Sequence, residues 1–389
     1  MFFTASFDDI KKGKVTDVYF QRTLEILKAK GINKKVVMEV FAKRLPNDWP
    51  WAVLCGTEEL SRLFEGIKVN ISCLPEGTIF HAHEPVLTIE GKYTDFGIYE
   101  TALLGLLCQA SGVATAAVRC RKAAGDRSVL SFGARRMHPA IAPMIERSAF
   151  IGGCDGVAVV ESARQIGEEP AGTMPHSLIL IMGDTVEATK AFDEVIPKEI
   201  KRISLVDTFN DEKIESLRVA EAMGDRLFGI RLDTPASRRG NFLELIKEVR
   251  WELNLRGFDN IKIFVSGGIN ENTIQLLNPV VDGYGVGTYI SNAAVIDFSC
   301  DIVEIDDQPI AKRGKEAGRK NLWKCPDCYE YQVLPQGTKA SSCGCGSKPE
   351  EILLPFINDG QIMTQPSPVR TIREYVLKQL PYFELKLAK

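Results

Sequence analysis

The sequence predicts an α/β protein built around a closed or nearly closed barrel, with an α+β domain before it and a small zinc-binding segment after it. Three observations carry this. Between Gly125 and Thr288, seven short β-rich runs alternate, mostly with helix-like segments. Before Val113, helical spacing mixes with alternating, proline-broken runs, and near residue 325 four cysteines crowd together. Repeated βα units imply parallel strands, because each crossover must return over the sheet. With no dinucleotide fingerprint, a barrel fits better than an open sheet.

In chain order, KKVVMEVFA (34–42) and Glu58 to Leu63 carry helical apolar spacing. Residues 69–90 alternate and are broken by Pro75, Gly77 and Pro85, as short strands and turns require. From Asp95, a possible cap, a long apolar pattern predicts a helix or helix pair ending near Gly125. The seven β-rich runs follow: SVLSFGARR, DGVAVVES, HSLILIMG, RISLVDTF, LFGIRLDT, IKIFVSGG and DGYGVGT. Helices are expected over 211–223 and 241–255. AKRGKEAGRKN (311–321) reads as a basic linker, and TIREYVLKQL as a final helix. The expected domains are 1–113, 114–297 and 298–389, the zinc knuckle occupying about 322–348.

Composition narrows the function. The 389 residues carry a formal net charge of −3 and are 45% hydrophobic, an ordinary globular balance. Near-neutral charge argues against a protein held mainly by non-specific attraction to nucleic acid or anionic membrane. No uninterrupted apolar run reaches the roughly 18 residues of a membrane span. The opening residues lack a secretory pattern, and a cytoplasmic chain is expected. Six of the ten cysteines are scattered singly through apolar stretches, as reduced thiols are.

The other four, Cys325, Cys328, Cys343 and Cys345, form two close pairs that can wrap a tetrahedral zinc. Four thiolates leave no open coordination position, so this zinc is structural. At the ends of the barrel strands, Ser266-Gly267-Gly268 and Gly285-Val-Gly287-Thr288 can bring backbone amides close to phosphate oxygens. Phe132 offers a flat face beside the guanidinium forks of Arg135 and Arg136, which suit carboxylate or phosphate. Asp207, Thr208, Arg231 and Asp233 could orient ribose hydroxyls, magnesium and a second phosphate, although each could equally sit in a structural ion pair. His81, His83 and His138 read as structural. His176, in the loop carrying Thr173 and Ser177, can face the pocket as a nucleophile or acid/base group.

The ordered series of TDVY (16–19), LPEGTIFHAHEPVLTIEG, ETALL (100–104), SFGARR, GTMPHS, VDTF, IRLDT, VSGGI and GVGT resembles nicotinate phosphoribosyltransferase in its short archaeal-type form with a zinc knuckle. The resemblance implies a type II phosphoribosyltransferase with an N-terminal α+β sandwich, an incomplete TIM-like α/β barrel and a homodimer sharing its active sites. It implies joining nicotinate to phosphoribosyl pyrophosphate with magnesium and coupled ATP hydrolysis. His176 would be the phosphorylated residue. Asp17 and Tyr19 would reach the pyridine ring across the dimer, with Phe132 stacking on it and Arg135 and Arg136 serving carboxylate or pyrophosphate. Asp207, Arg231 and Asp233 would handle ribose and phosphates, and Gly267, Gly268, Gly285 and Gly287 the 5′-phosphate. The chain departs from the pattern at Gly156 to Glu161, where many members have Thr-Ser-Asn.

Two other readings compete. Quinolinate phosphoribosyltransferase shares the barrel but decarboxylates a dicarboxylate, so it expects more basic residues around the ring and leaves GTMPHS unexplained. A zinc-ribbon nucleic-acid-binding protein would use the knuckle with Lys312 to Lys320, against which Glu316 and the negative net charge stand.

Overall fold

Val36, Val37, Met38 and Val40 are all buried, so the segment Lys35–Ala42 is apolar on both faces. That burial makes it a central strand rather than the helix its spacing predicts, since a short apolar run fits either element and sheet neighbours decide. A computed structural model describes residues 2–386. It divides into two compact units, residues 1–115 with 294–389, and residues 116–293.

The first unit is organised by a seven-stranded sheet in the order 308–309, 298–305, 35–42, 85–92, 69–73, 354–358, 361–362. Every neighbouring pair is antiparallel. Phe298–Ile305 and Leu354–Asn358 therefore complete a sheet whose other long strands lie before residue 93. This corrects the expected third domain: among the described residues there is no separate zinc-knuckle domain. The cysteine segment forms a three-stranded sheet in which Tyr331 donates to the carbonyl of Ile79 at 2.5 Å.

The expected basic linker is likewise part of this unit. Lys315 meets Asp301 at 2.7 Å, Arg319 meets Glu90 at 2.6 Å and Glu304 at 2.7 Å, and Lys320 meets Glu39 at 2.9 Å. These carboxylates engage the charges that the nucleic-acid reading requires.

Residues 93–124 pass the length and apolarity test for a membrane span, with 61% of the apolar window buried. Leu103, Leu107, Ala110, Val113 and Ala114 are buried along it. Its start differs from expectation: Asp95 lies inside the short helix Tyr93–Phe96, and Glu100–Ala124 follows after a 3-10 turn.

The second unit is a half-barrel of six parallel strands in the order 156–157, 128–131, 283–286, 262–266, 229–232, 203–205. The outer strands, Gly156–Val157 and Ile203–Leu205, do not pair, so the barrel stays open. The seventh expected strand, HSLILIMG, is the helix His176–Met182, ended by Gly183 at φ 79. Leu180 and Ile181 are exposed there while Ile179 is buried, a one-sided pattern that a strand buried on both faces would not give. Ahead of it, Ala171 donates to the carbonyl of Val157 at 2.8 Å, so an irregular segment lies along the open edge.

Candidate active site

Three of the half-barrel strands deliver polar residues at their C-terminal ends, where loops are free to vary without disturbing the sheet. Gly229–Leu232 delivers Arg231 and, just beyond it, Asp233; Lys262–Ser266 delivers Ser266; Asp207 and Thr208 follow Ile203–Leu205.

These groups are connected. Arg231 Nη1 donates to Ser266 Oγ at 2.9 Å, and Ser266 Oγ donates to Asp233 Oδ1 at 2.7 Å. Arg231 Nη2 donates to the carbonyl of Met174 at 3.1 Å, fixing the loop before His176. The His176 ring is held by Nδ1 against Thr208 Oγ1 at 3.0 Å. Its Nε2 lies 3.8 Å from Asp207 and 3.7 Å from Asp233, between two carboxylates. Burial raises the Asp207 carboxyl above its ordinary range, with His176 opposing the shift. Burial also lowers the Arg231 guanidinium, against the pull of Asp233 and Asp207.

Phe132, just beyond Ser128–Ser131, brings an aromatic ring to this cluster, with the Arg231 guanidinium carbon 5.9 Å from its centre. A Cβ on Gly285 would lie 2.4 Å from the Phe132 ring, so glycine there makes room for it. Gly267 and Gly268 both have positive φ, 77° and 63°, which favours glycine and turns the backbone sharply after Ser266.

The remaining predicted residues are placed differently. Arg135 and Arg136 lie on an exposed 3-10 turn immediately after Phe132 and Gly133. Gly287 precedes the short helix that Thr288 begins, and Ser177 is exposed. Thr173 lines a cavity of about 1130 Å³ together with Arg127, Lys201, Arg250 and Lys262. That cavity gathers residues preceding the strands, the end that in barrels serves stability. Asp17 and Tyr19 belong to the other unit: Asp17 accepts from Thr101 Oγ1 at 2.8 Å, and Tyr19 is 56% exposed.

Sequence reasoning missed Arg239. Its Nε donates to the carbonyl of Thr234 at 2.9 Å, and its Nη2 to those of Ser266 at 3.3 Å and Gly267 at 2.7 Å. The available signal was the dipeptide Arg238-Arg239 before Gly240, in the loop after a strand that already carries Arg231 and Asp233.

In the first unit, the thiols of Cys325, Cys328, Cys343 and Cys345 all lie within 4.8 Å of one another. Cys328 and Cys343 are 3.2 Å apart, and Cys325 and Cys345 3.4 Å. The backbone N–H and hydroxyl of Ser347 lower the Cys345 thiol, while the neighbouring thiols raise Cys328 and Cys343, as expected where four sulfurs crowd together. The donor set fits a tetrahedral zinc site, which would hold together a segment with little core of its own.

An α/β half-barrel whose strand ends gather arginines, carboxylates, a histidine and glycine turns has the architecture and side chains of an enzyme of the barrel class. Family models agree on its kind. The N-terminal domain of quinolinate phosphoribosyl transferase matches residues 17–111, and the C-terminal domain matches residues 113–301. The chain belongs to the quinolinate phosphoribosyl transferase family. It is similar to a solved structure described as nicotinate-nucleotide pyrophosphorylase from Pyrococcus furiosus, with 56% identity, TM-score 0.97 and 99% of each chain covered. More distant are proteins named nicotinate phosphoribosyltransferase. The one from Bacillus subtilis is 29% identical over 72% of this chain, which spans 63% of that protein. Nicotinate phosphoribosyltransferase pncB1 from Mycobacterium tuberculosis is 27% identical, with 97% of this chain and 93% of that protein covered.

The two family models and the 56% identical structure correct the expected identity. The nicotinate phosphoribosyltransferase assignment, its ATP coupling, the phosphorylated His176, and nicotinate and ATP as ligands are replaced by the family with a dicarboxylate substrate. The chemical reason is direct: a transfer that expels carbon dioxide is driven forward by that loss and needs no nucleotide hydrolysis.

Proposed function

We propose that the protein transfers the phosphoribosyl group of phosphoribosyl pyrophosphate to quinolinate, releasing pyrophosphate and carbon dioxide and forming nicotinate mononucleotide. The observation that carries this reading is the density of guanidinium groups around the half-barrel mouth. Arg231 and Arg239 are tied into it, while Arg135 and Arg136 stand on the exposed turn three and four residues after Phe132. A ring with two carboxylates beside a sugar bearing three phosphates needs such a concentration of forked donors.

In this mechanism Phe132 supports the flat pyridine ring, leaving its nitrogen in line with the anomeric carbon. As pyrophosphate departs, positive charge builds on the ribose, and Asp207 and Asp233 supply the opposing charge. His176, held by Thr208 between these carboxylates, can carry a proton at Nε2. Loss of the 2-carboxylate leaves an electron pair on the ring carbon that a proton must take up, and His176 is positioned as that donor. Asp207 Oδ1 is buried without a hydrogen-bond partner among the described residues. Asp207 and Asp233 therefore suit magnesium, which when bound would offset charge on the diphosphate. None of the ten cysteines is in a disulfide, which supports a cytoplasmic setting.

The test is to supply phosphoribosyl pyrophosphate and magnesium with quinolinate or nicotinate, separately and in competition. Mononucleotide formed from quinolinate with equimolar carbon dioxide is expected. Turnover of nicotinate with quinolinate left untouched would reject the reading.

A further inference from the structure

The loop that follows Ile203–Leu205 carries Asp207 and Thr208 and then enters the helix Glu212–Met223. Asp211 caps that helix, accepting from the N–H groups of Lys213 at 3.0 Å and Ile214 at 3.3 Å. In its first turn Glu215 is wholly buried, a place a carboxylate rarely occupies unless it is paired. Its Oε1 accepts from Asn210 Nδ2, in the same loop as Thr208, and from Arg218 Nη1 at 2.6 Å. Arg218 Nη2 in turn donates to Asp184 Oδ2 at 2.6 Å.

Asp184 stands just past the end of the His176 helix. That helix stops at Gly183, and Asp184 caps the next one, accepting from the N–H groups of Val186 at 2.8 Å and Glu187 at 3.1 Å. Asn210, Glu215, Arg218 and Asp184 therefore join the Thr208 loop to the end of the His176 helix. The start of that helix meets the same loop directly, His176 Nδ1 lying 3.0 Å from Thr208 Oγ1. The loop after the next strand is held by the same turn, because Thr234, beside Asp233, donates to Glu212 Oε1 at 2.8 Å. A buried carboxylate bonded to a guanidinium fixes both in one geometry, since any shift leaves the carboxylate buried and unpaired.

Resting on the reading of His176 as the proton donor in phosphoribosyl transfer, we propose that Glu215 is a positioning residue for that histidine. Its carboxylate sets the spacing between the Thr208 loop and the His176 helix, and so holds the imidazole with Nε2 between Asp207 and Asp233. Enclosed behind the loop, Glu215 acts through Thr208 and His176. Its loss should therefore weigh on turnover rather than on substrate binding.

The first measurement needs no substrate. The ring nitrogen resonances of His176, identified by their loss in H176Q, report its bond to Thr208. E215L fills the space without a carboxylate and leaves Asn210 and Arg218 to solvent, and it should move those resonances towards their positions in T208V. The second measurement is turnover of quinolinate with phosphoribosyl pyrophosphate. In E215L, kcat should fall roughly tenfold to hundredfold while both KM values change less than about threefold. Added to T208V, the same change should lower kcat little further, as expected of residues acting through one contact. E215Q, which keeps an oxygen for Asn210 but no charge for Arg218, should lie between E215L and the unaltered protein. If E215L does not fold, N210A, at the exposed end of the chain of bonds, serves in its place. Unchanged His176 resonances in a folded variant, or losses in E215L and T208V that multiply in the double variant, overturn the role of Glu215. If the resonances move but the unaltered protein leaves quinolinate untouched, the phosphoribosyl reading falls and the positioning of His176 by Glu215 stands.

Discussion

At Gly285 the missing side chain is what the site uses. A methyl there would stand 2.4 Å from the Phe132 ring, inside any contact distance, so the ring would have to move. Gly285→Ala should cost about 1–3 kcal/mol of stability, the usual effect of overfilling a packed position. It should also raise KM for the pyridine acid more than KM for the sugar diphosphate. Denaturant melts and two-substrate kinetics check both, and equal rises in the two KM values would contradict the packing role. The residue was visible in the sequence as part of Gly-Val-Gly-Thr, but its contact was not. Glycine after a strand suggests a backbone approaching a ligand, and nothing local reveals that a ring from another strand needs the space. Arg239 stayed hidden for a related reason: a guanidinium in a loop is ordinarily solvated, and only its three carbonyl partners set it apart.

Among elements, the helix Glu271–Leu277 is tied to Glu100–Ala124 by a buried fork. Arg119 donates to Glu271 through Nε at 2.6 Å and Nη2 at 2.8 Å, with the Arg119 side chain wholly buried. Removing one partner strands the other charge without water. Glu271→Ala should therefore destabilise the half-barrel by about 3–5 kcal/mol, whereas a double change of Arg119→Met with Glu271→Leu should recover most of the loss. Urea unfolding of the three proteins decides; a single variant as stable as its parent would remove the pair from the account. Elements were legible where caps and amphipathic faces agreed, as in Glu212–Met223 behind Asp211 and Phe242–Leu255 behind Asn241. They were misread where a short apolar run had no local arbiter. Lys35–Ala42 became a strand because two strands flank it, and His176–Met182 a helix because the half-barrel is open beside it. The half-barrel was readable from the repeating βα rhythm, but neither its number of strands nor the membership of the C-terminal segment in the first unit was.

For the whole molecule, the four cysteines secure a segment with few apolar residues. Cys328→Ser should remove bound zinc from the purified protein and at least roughly 3 kcal/mol of local stability. Metal analysis and limited proteolysis across residues 320–351 report the two effects. Retained zinc with unchanged protease resistance would show that the thiols close without metal. The cysteine spacing made this centre readable from sequence, whereas its attachment to the first unit depended on strand pairings far apart in the chain, which no local pattern encodes.

That distant pairing orders events at the ribosome. Lys35–Ala42 hydrogen-bonds to Phe298–Ile305, and Val69–Cys73 to Leu354–Asn358, so the large sheet must wait, incomplete and with unpaired edges, while more than two hundred intervening residues are made. The half-barrel draws on one continuous stretch, 116–293, and can close its contacts as soon as that stretch leaves the exit tunnel. Translation thus builds the catalytic frame first, and the nascent sheet is the part that calls for chaperone protection.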